Sequence, residues 1–354
     1  MAELSSFQER PAQMRRIRWL DAAKAIGIVL VVLGHISRDA ALVQWIYLFH
    51  MPLFFFVSGW VYKKKNVLKD IGHRARTLMV PYYAFGGVLL LYWQLLERRF
   101  RDSTLTFGQS LYGLLIGEYD YLDFNVHLWF LPCLFVTAVF FNILVNAGDR
   151  WKNGGIVFAG FVSLAMSTVS LVMECPPLIW GFERTFQYIG FYAAGAILAK
   201  TRVGDFVEKK GRGMQGAVLL LCLSATVALN HWNLTAGIFR YIDAFLGIFL
   251  VVAMALLLQN SALVQYLGRT TLLVLCIHGP IYRILIQVFS LMLQLSTDSF
   301  RSSLLLSIFV TAATLALCAL CYEICRRIVP WALGMKRQQA QTPEQGSADL
   351  RLNG

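Results

Sequence analysis

Ten apolar runs, most of them long enough to cross a bilayer, leave this chain little choice of fold. They fall at about 17–37, 45–62, 77–96, 128–147, 155–173, 184–199, 214–230, 237–258, 272–293 and 303–325, the sixth and seventh being short. Inside hydrocarbon no water satisfies backbone N–H and C=O groups, so each run must close its own hydrogen bonds as a helix. The expected fold class is all-α, a polytopic membrane protein with about ten transmembrane helices. Composition points the same way: only 15% of the 354 residues are charged, where a soluble domain carries about a quarter.

Lysine and arginine set the orientation. With the N-terminus inside, 23 of them fall in inner segments, five in outer ones and four within or at the edge of spans. Cationic residues are retained in cytoplasmic loops, so both termini are expected to be cytoplasmic. The same bias explains the net charge of +12 without nucleic acid, for which no soluble basic domain is present. The basic start and first apolar run resemble a secretory signal. Lys24 at the edge of that run, and the second span directly after it, predict a retained helix instead. The chain divides into a basic cytoplasmic segment at 1–16, a membrane domain at 17–335 and a polar, aperiodic tail at 336–354, expected to be disordered.

The first span is the least ordinary. Its residues 19–35, WLDAAKAIGIVLVVLGH, are apolar enough to enter a bilayer yet carry Asp21, Lys24 and His35. Each charge within a span costs about 2.5–3.5 kcal/mol on insertion scales, so a polar stripe here calls for a function. Residues eleven apart lie within about 20° of one helix face and roughly 16 Å apart along the axis, which places Lys24 and His35 on one side. Asp21, three residues before Lys24, shares that side and is placed to neutralise it.

The remaining histidines distribute by topology. His50 is expected to open the second span and His127 the fourth, both toward the outer side, with His231 just beyond the seventh. His278 is expected in the inner half of the ninth span, and His73 in a basic cytoplasmic loop. Histidine shuttles protons near neutral pH, and His35 is the candidate general base. No H-E-x-x-H or comparable ligand spacing occurs, so no metal is expected. Neither is a covalent Ser or Cys intermediate, since no G-x-S-x-G is present. Most of the seven cysteines sit in apolar runs and predict no disulfide framework. The long outer loop at 97–127 ends in GEYDYLDFNVH, whose acids and aromatics suit a sugar-like ligand or a solvated lid. Intramembrane charge and histidine also mark proton-coupled transporters and flippases, the alternative class. No internal repeat of the kind that builds transporters is found.

At this point the residues carry a resemblance. LDAAKAIGIVLVVLGH and IYLFHMPLFFFVSGW (46–60) resemble the opening of the membrane acyltransferase-3 family, in wording nearest its fucose 4-O-acetylase-related branch. RTLMVPYYAF (76–85), HLWFLPCLF (127–135) and LGRTTLLVLCIHGPI (267–281) continue the match in the family's order. The resemblance implies transfer of an acyl group, usually acetyl from acetyl-CoA, to a hydroxyl of an extracytoplasmic carbohydrate. O-antigen, exopolysaccharide and nodulation-type oligosaccharides are the acceptor classes it suggests, at a bacterial inner membrane and in the company of glycan-assembly proteins. The family's basic residue, ten-residue interval and histidine correspond to Lys24 and His35, with Asp21 beside them. Its paired arginines of the second cytoplasmic segment are departed from: here Arg74 and Arg76 stand only two apart, and either is a candidate for holding CoA phosphates. His50, His127, Trp129 and His278 complete the substrate-cavity candidates.

Overall fold

The computed structural model describes residues 17–101, 103–150, 154–173, 175–201, 211–232 and 236–335. The 1–16 segment and the 336–354 tail lie outside the described residues, as does the side chain of His231. Among the described residues the protein is built from helices, with no strand. The long elements are α1 (Arg18–Ile36), α2 (Ala40–Trp60), α3 (Val67–Arg74), α4 (Val80–Leu95), α5 (Phe107–Ile116) and α6 (Phe130–Gly148). They continue as α7 (Gly155–Val169), α8 (Phe182–Leu198), α9 (Arg212–His231), α10 (Ile238–Leu258), α11 (Ala262–Leu293), α12 (Thr297–Ser302) and α13 (Leu304–Ile328).

Among the described residues, seven helical stretches are long and apolar enough to cross a membrane. The expected fifth, sixth and seventh spans are present as the shorter or more polar helices α7, α8 and α9. Helix α8 starts at Phe182, directly after Trp180 and Gly181, whose left-handed backbone angles (φ 58° and 66°) break the chain's approach to it. The protein is thus an all-helical polytopic membrane protein, as the apolar runs require.

Polar contacts sort by the two ends of the bundle. At one end Arg18 O accepts from Gln265 Nε2 and Lys64 pairs with Asp149. That lysine, with the Gly155 N–H, holds the Asp149 carboxyl below its ordinary range. At the other end Arg38 pairs with Asp298 at 2.6 Å, and Arg101 with Asp123 at 3.1 Å. The first end carries the segments rich in lysine and arginine and is therefore the cytoplasmic one.

Helix α1 occupies the centre, packed against α2, α10, α11 and α13. Helices α2 and α8 approach each other through glycine. A Cβ on Gly59 would lie 1.9 Å from the Tyr192 carbonyl oxygen, and one on Gly195 2.0 Å from that of Phe56. Between apolar helices in lipid, such close backbone approach is what supplies packing energy.

Three expectations need correcting. His50 does not open α2; the helix starts at Ala40, so His50 lies in its middle. His278 is not in the inner half of its span, because α11 begins at Ala262 and runs 32 residues, placing His278 at its centre. Arg74 and Arg76 do not sit on an irregular loop. They belong to a continuous helical stretch in which the π-turn Ala75–Met79 joins α3 to α4. Pro81 at the start of α4 lacks an N–H for the preceding turn, and a local π adjustment accommodates that loss. The outer loop at 97–127 also carries structure of its own, α5, started by a Thr106/Gln109 capping box.

Candidate active site

Three separate segments bring His35, His127 and His278 together. The ring centres are 4.0 Å apart for His35 and His127, 4.3 Å for His127 and His278, and 5.6 Å for His35 and His278. One ring nitrogen from each lies within 4.8 Å of the others. His127 and His278 are buried, and His35 is partly open.

Each ring is held from behind. His35 closes the last turn of α1, whose end carbonyls of Ile36 and His35 accept from Arg301 at 3.1 and 3.4 Å. A cation at a helix C-terminus is favourably placed, so Arg301 anchors the turn that presents His35. Its Nδ1 lies 2.8 Å from the Tyr47 hydroxyl, which also reaches the Gly34 carbonyl at 3.2 Å. Tyr47 has one proton. When it donates to Gly34 O, it accepts from His35 Nδ1–H and leaves Nε2 of His35 with a bare lone pair. Replacing Tyr47 by Phe is expected to lower turnover about fivefold while binding of acyl donor is unchanged, since one neutral hydrogen bond is worth about 1 kcal/mol. A pH–rate profile on membranes checks this, and an unaltered profile and rate would remove Tyr47 from the site.

His278 is fixed by its own helix. Its Nδ1 lies 2.8 Å from the Val274 carbonyl and 3.2 Å from that of Leu275. Carbonyls only accept, so Nδ1 carries the hydrogen and Nε2 is bare. That Nε2 is buried without a hydrogen-bond partner among the described residues.

His127 stands on the 3₁₀ turn Val126–Trp129, and proline chemistry docks that turn. Pro280 inside α11 has no N–H, so the Cys276 carbonyl four residues earlier loses its helical partner. The Asn125 side-chain amide donates to that carbonyl instead, at 2.6 Å. Gly279 completes the fit: a Cβ there would stand 3.0 Å from both Asn125 Oδ1 and His127 Cδ2.

Below the cluster lie Asp21 and Lys24. Their ion pair is 2.6 Å long, with Asp21 buried and Lys24 about one-third exposed at 34%. Lys24 and Ser58 border two adjoining cavities. The larger, of about 810 Å³, reaches the cytoplasmic end at Lys63, Lys65, His73 and Arg74. The smaller, of about 220 Å³, continues along Phe130 and Leu131 to Leu275, one turn before His278. Arg74 faces the first cavity, held by Asp70 at 2.8 Å and by the Tyr192 hydroxyl at 3.2 Å. Arg76 is not among the lining residues.

His50 stays outside the triad. Its Nδ1 donates to the Ile46 carbonyl at 2.9 Å, and its ring packs 5.0 Å from Tyr47. Trp129 also turns away from the histidines, toward the outer side. The Arg184 guanidinium lies 4.8 Å from its ring and 4.4 Å from that of Tyr119. Partial burial together with Glu183 and Asp120 pushes the nearby Glu118 carboxyl above its ordinary range. Sequence reasoning missed Tyr47, Ser58, Asn125 and Arg184 as parts of the site, while Lys63 and Lys65 belong to the lysines near Arg74 that it did offer for the donor's phosphates. Asn125 alone had a usable signal: it is an amide just ahead of an apolar run, and Pro280 announces a carbonyl needing a foreign donor.

The sequence profile described as "Acyltransferase domain", of acyltransferase family 3, matches residues 17–323, an interval that contains every residue of this site. The chain is also similar to the nodulation protein NolL of Mesorhizobium japonicum, 26% identical over 198 residues, covering 50% of this chain and 48% of the relative. NolL of Sinorhizobium fredii is 28% identical over 196 residues, with the same shares covered. The chain spans about half the length of the curated relatives it matches. No solved structure matches it.

Proposed function

Because the chain belongs to the acyltransferase-3 family and is a membrane acyltransferase, we propose that it moves acetyl from cytoplasmic acetyl-CoA to a hydroxyl of an extracytoplasmic or lipid-linked carbohydrate. Two adjoining cavities carry this reading. They run from a cationic cytoplasmic mouth, past Lys24, to within one helical turn of the histidine cluster. A donor of that shape has phosphates at one end and a thioester at the other. Lys63, Lys65 and Arg74 hold the phosphates, and the pantetheine arm follows the walls beyond Ser58. The Asp21–Lys24 pair keeps a fixed charge along the arm without leaving either group unpaired.

At the inner end the acceptor hydroxyl is activated at His35. The bare Nε2 takes the hydroxyl proton while the oxygen attacks the thioester carbonyl carbon. The C–S bond then breaks, and the thiolate recovers the proton as CoA leaves. General base catalysis of this kind contributes about 10²–10⁴-fold. On the outer side Trp129, Tyr119 and Arg184 offer an aromatic and cationic surface for a sugar ring. The name of the NolL relatives, nodulation protein, supports a nodulation-type oligosaccharide among the acceptor classes. A bacterial inner membrane, where such glycans are assembled, is the setting this reading implies.

Membranes offered radiolabelled acetyl-CoA are expected to pass label to a glycan, and mass spectrometry of glycans from a deletion strain should show one acetyl group lost. Label that never leaves CoA, with glycans unchanged, would overturn the reading. Replacing Lys63 and Lys65 together by alanine is expected to raise KM for acetyl-CoA about tenfold or more with kcat retained, since a hydrogen bond to a charged group is worth about 1.5–3 kcal/mol. A fall in kcat alone would exclude these lysines from donor binding.

A further inference from the structure

We propose that His35, His127 and His278 together bind one divalent transition-metal ion, zinc by preference, through one imidazole nitrogen each. The first support is a problem the cluster presents without an ion. The Nδ1 of His278 is committed to the Val274 carbonyl, so the nitrogen it offers is a bare Nε2, buried and unpartnered among the described residues. The Nδ1 of His35 is occupied by Tyr47, which leaves Nε2 as the nitrogen it offers too. Lone pairs gathered in a buried place repel one another and forgo their hydrogen bonds. A cation satisfies all of them at once.

The second support is the outer layer. Ligating histidines commonly donate their other ring N–H to a carbonyl or similar group, which sets tautomer and ring direction. The Val274 carbonyl does this for His278, and the Tyr47 oxygen is placed to do it for His35. The third is geometry. Tetrahedral zinc with N–Zn bonds of about 2.0–2.1 Å needs ligand nitrogens about 3.4 Å apart. All three nitrogens already lie within 4.8 Å, so small rotations of the rings close the site. Gly279 leaves the room for His127 to stand over α11 in this position.

Three neutral imidazoles leave a fourth coordination position open, the arrangement of catalytic rather than structural zinc. Asn125 Oδ1 is buried and without a partner among the described residues, on the same side of Gly279 as His127. It is an acceptor suited to a proton on whatever oxygen occupies that position. A sugar hydroxyl bound there ionises more readily, as metal-bound water does. With the ion in place the Nε2 of His35 is a ligand rather than the base, and the acceptor is activated by the metal that His35 helps to hold. The hydroxyl O–H breaks, the new O–C bond forms, the C–S bond breaks, and the proton ends on the CoA sulfur. This last step rests on the function proposed above; binding of the ion does not.

The full chain, purified in detergent, stripped with a chelator and dialysed against zinc, is expected to hold about one zinc per chain by mass spectrometry of the metal. Cobalt in its place should give visible d–d bands without thiolate charge transfer. His278→Ala and His127→Ala should each lose at least nine-tenths of the metal, while Cys175→Ser and the double Cys321→Ser, Cys325→Ser variant keep it. Should the histidine variants fail to fold, Gly279→Ala retains every ligand but crowds His127, and zinc affinity should fall about tenfold. Wild-type protein without zinc, or histidine variants that keep it, would overturn the proposal. Bound zinc without acetyl transfer would overturn the proposed function instead, and transfer by metal-free protein would leave that function standing and overturn the ion's part in the reaction.

Discussion

Replacing His35 by alanine is expected to lower acetyl transfer at least 10²-fold, and up to about 10⁴-fold, with the protein still present in the membrane at its usual level. The loss is large because His35 is the partly open ring of the cluster, while His127 and His278 are buried. It is the least buried of the three rings. The fold should tolerate the change. Alanine is the best helix former, and the turn that carries His35 is anchored through its backbone carbonyls by Arg301. Transfer of label from acetyl-CoA in membranes, normalised to protein detected by antibody, makes the measurement. Activity within twofold of wild type would remove His35 from the chemistry, whether as base or as ligand to an ion.

Gly59→Val is expected to prevent folding, the largest structural effect we anticipate. The first added carbon would stand 1.9 Å from the carbonyl oxygen of Tyr192. No rotamer relieves a contact between Cβ and backbone, so α2 and α8 would have to separate by more than 1 Å. Overpacking of well-packed interiors costs about 1–3 kcal/mol even where side chains can adjust, and here they cannot. Separation would also break the stack of Phe55 on Tyr188, 4.6 Å apart, and unseat the Tyr192 hydroxyl that holds Arg74 at the cytoplasmic mouth of the cavity. Gly87→Ala is the matched control, because nothing lies within 4 Å of a Cβ there. Thermal melting in detergent should show Gly87→Ala near wild type and Gly59→Val either aggregated or lower by many degrees. Equal melting temperatures would mean the two helices are held by something other than this contact.

Much of the architecture is legible from local chemistry. A run of some twenty apolar residues must be a helix in lipid, and 23 cations on one side against five on the other orient it. The stripe of Asp21, Lys24 and His35 is equally local, since helical periodicity alone aligns residues three and eleven apart. Span ends are less legible. Helix α11 extends ten residues beyond its apolar run toward the cytoplasm, because Ser261 caps it at Val264 N–H and polar residues continue a helix outside hydrocarbon at no cost. The extension puts His278 at the centre of the helix, and the meeting of its ring with that of His35, in the last turn of α1, is what carries it out of the inner half.

The sequence by itself determined an all-helical membrane domain, its orientation, and the single helix bearing His35 above a Lys24–Asp21 pair. Only the tertiary structure decided that His127 and His278 join His35, that Arg74 rather than Arg76 faces the cavity at the cytoplasmic end, and that His50 and Trp129 stand apart from the cluster. The physical reason is that periodicity fixes which side of a helix a residue occupies, but not which helix that side will meet. In lipid no hydrophobic force selects the partner. The choice falls to close contacts such as Gly59 on Tyr192, and to freed polar groups such as the Cys276 carbonyl that Pro280 leaves for Asn125.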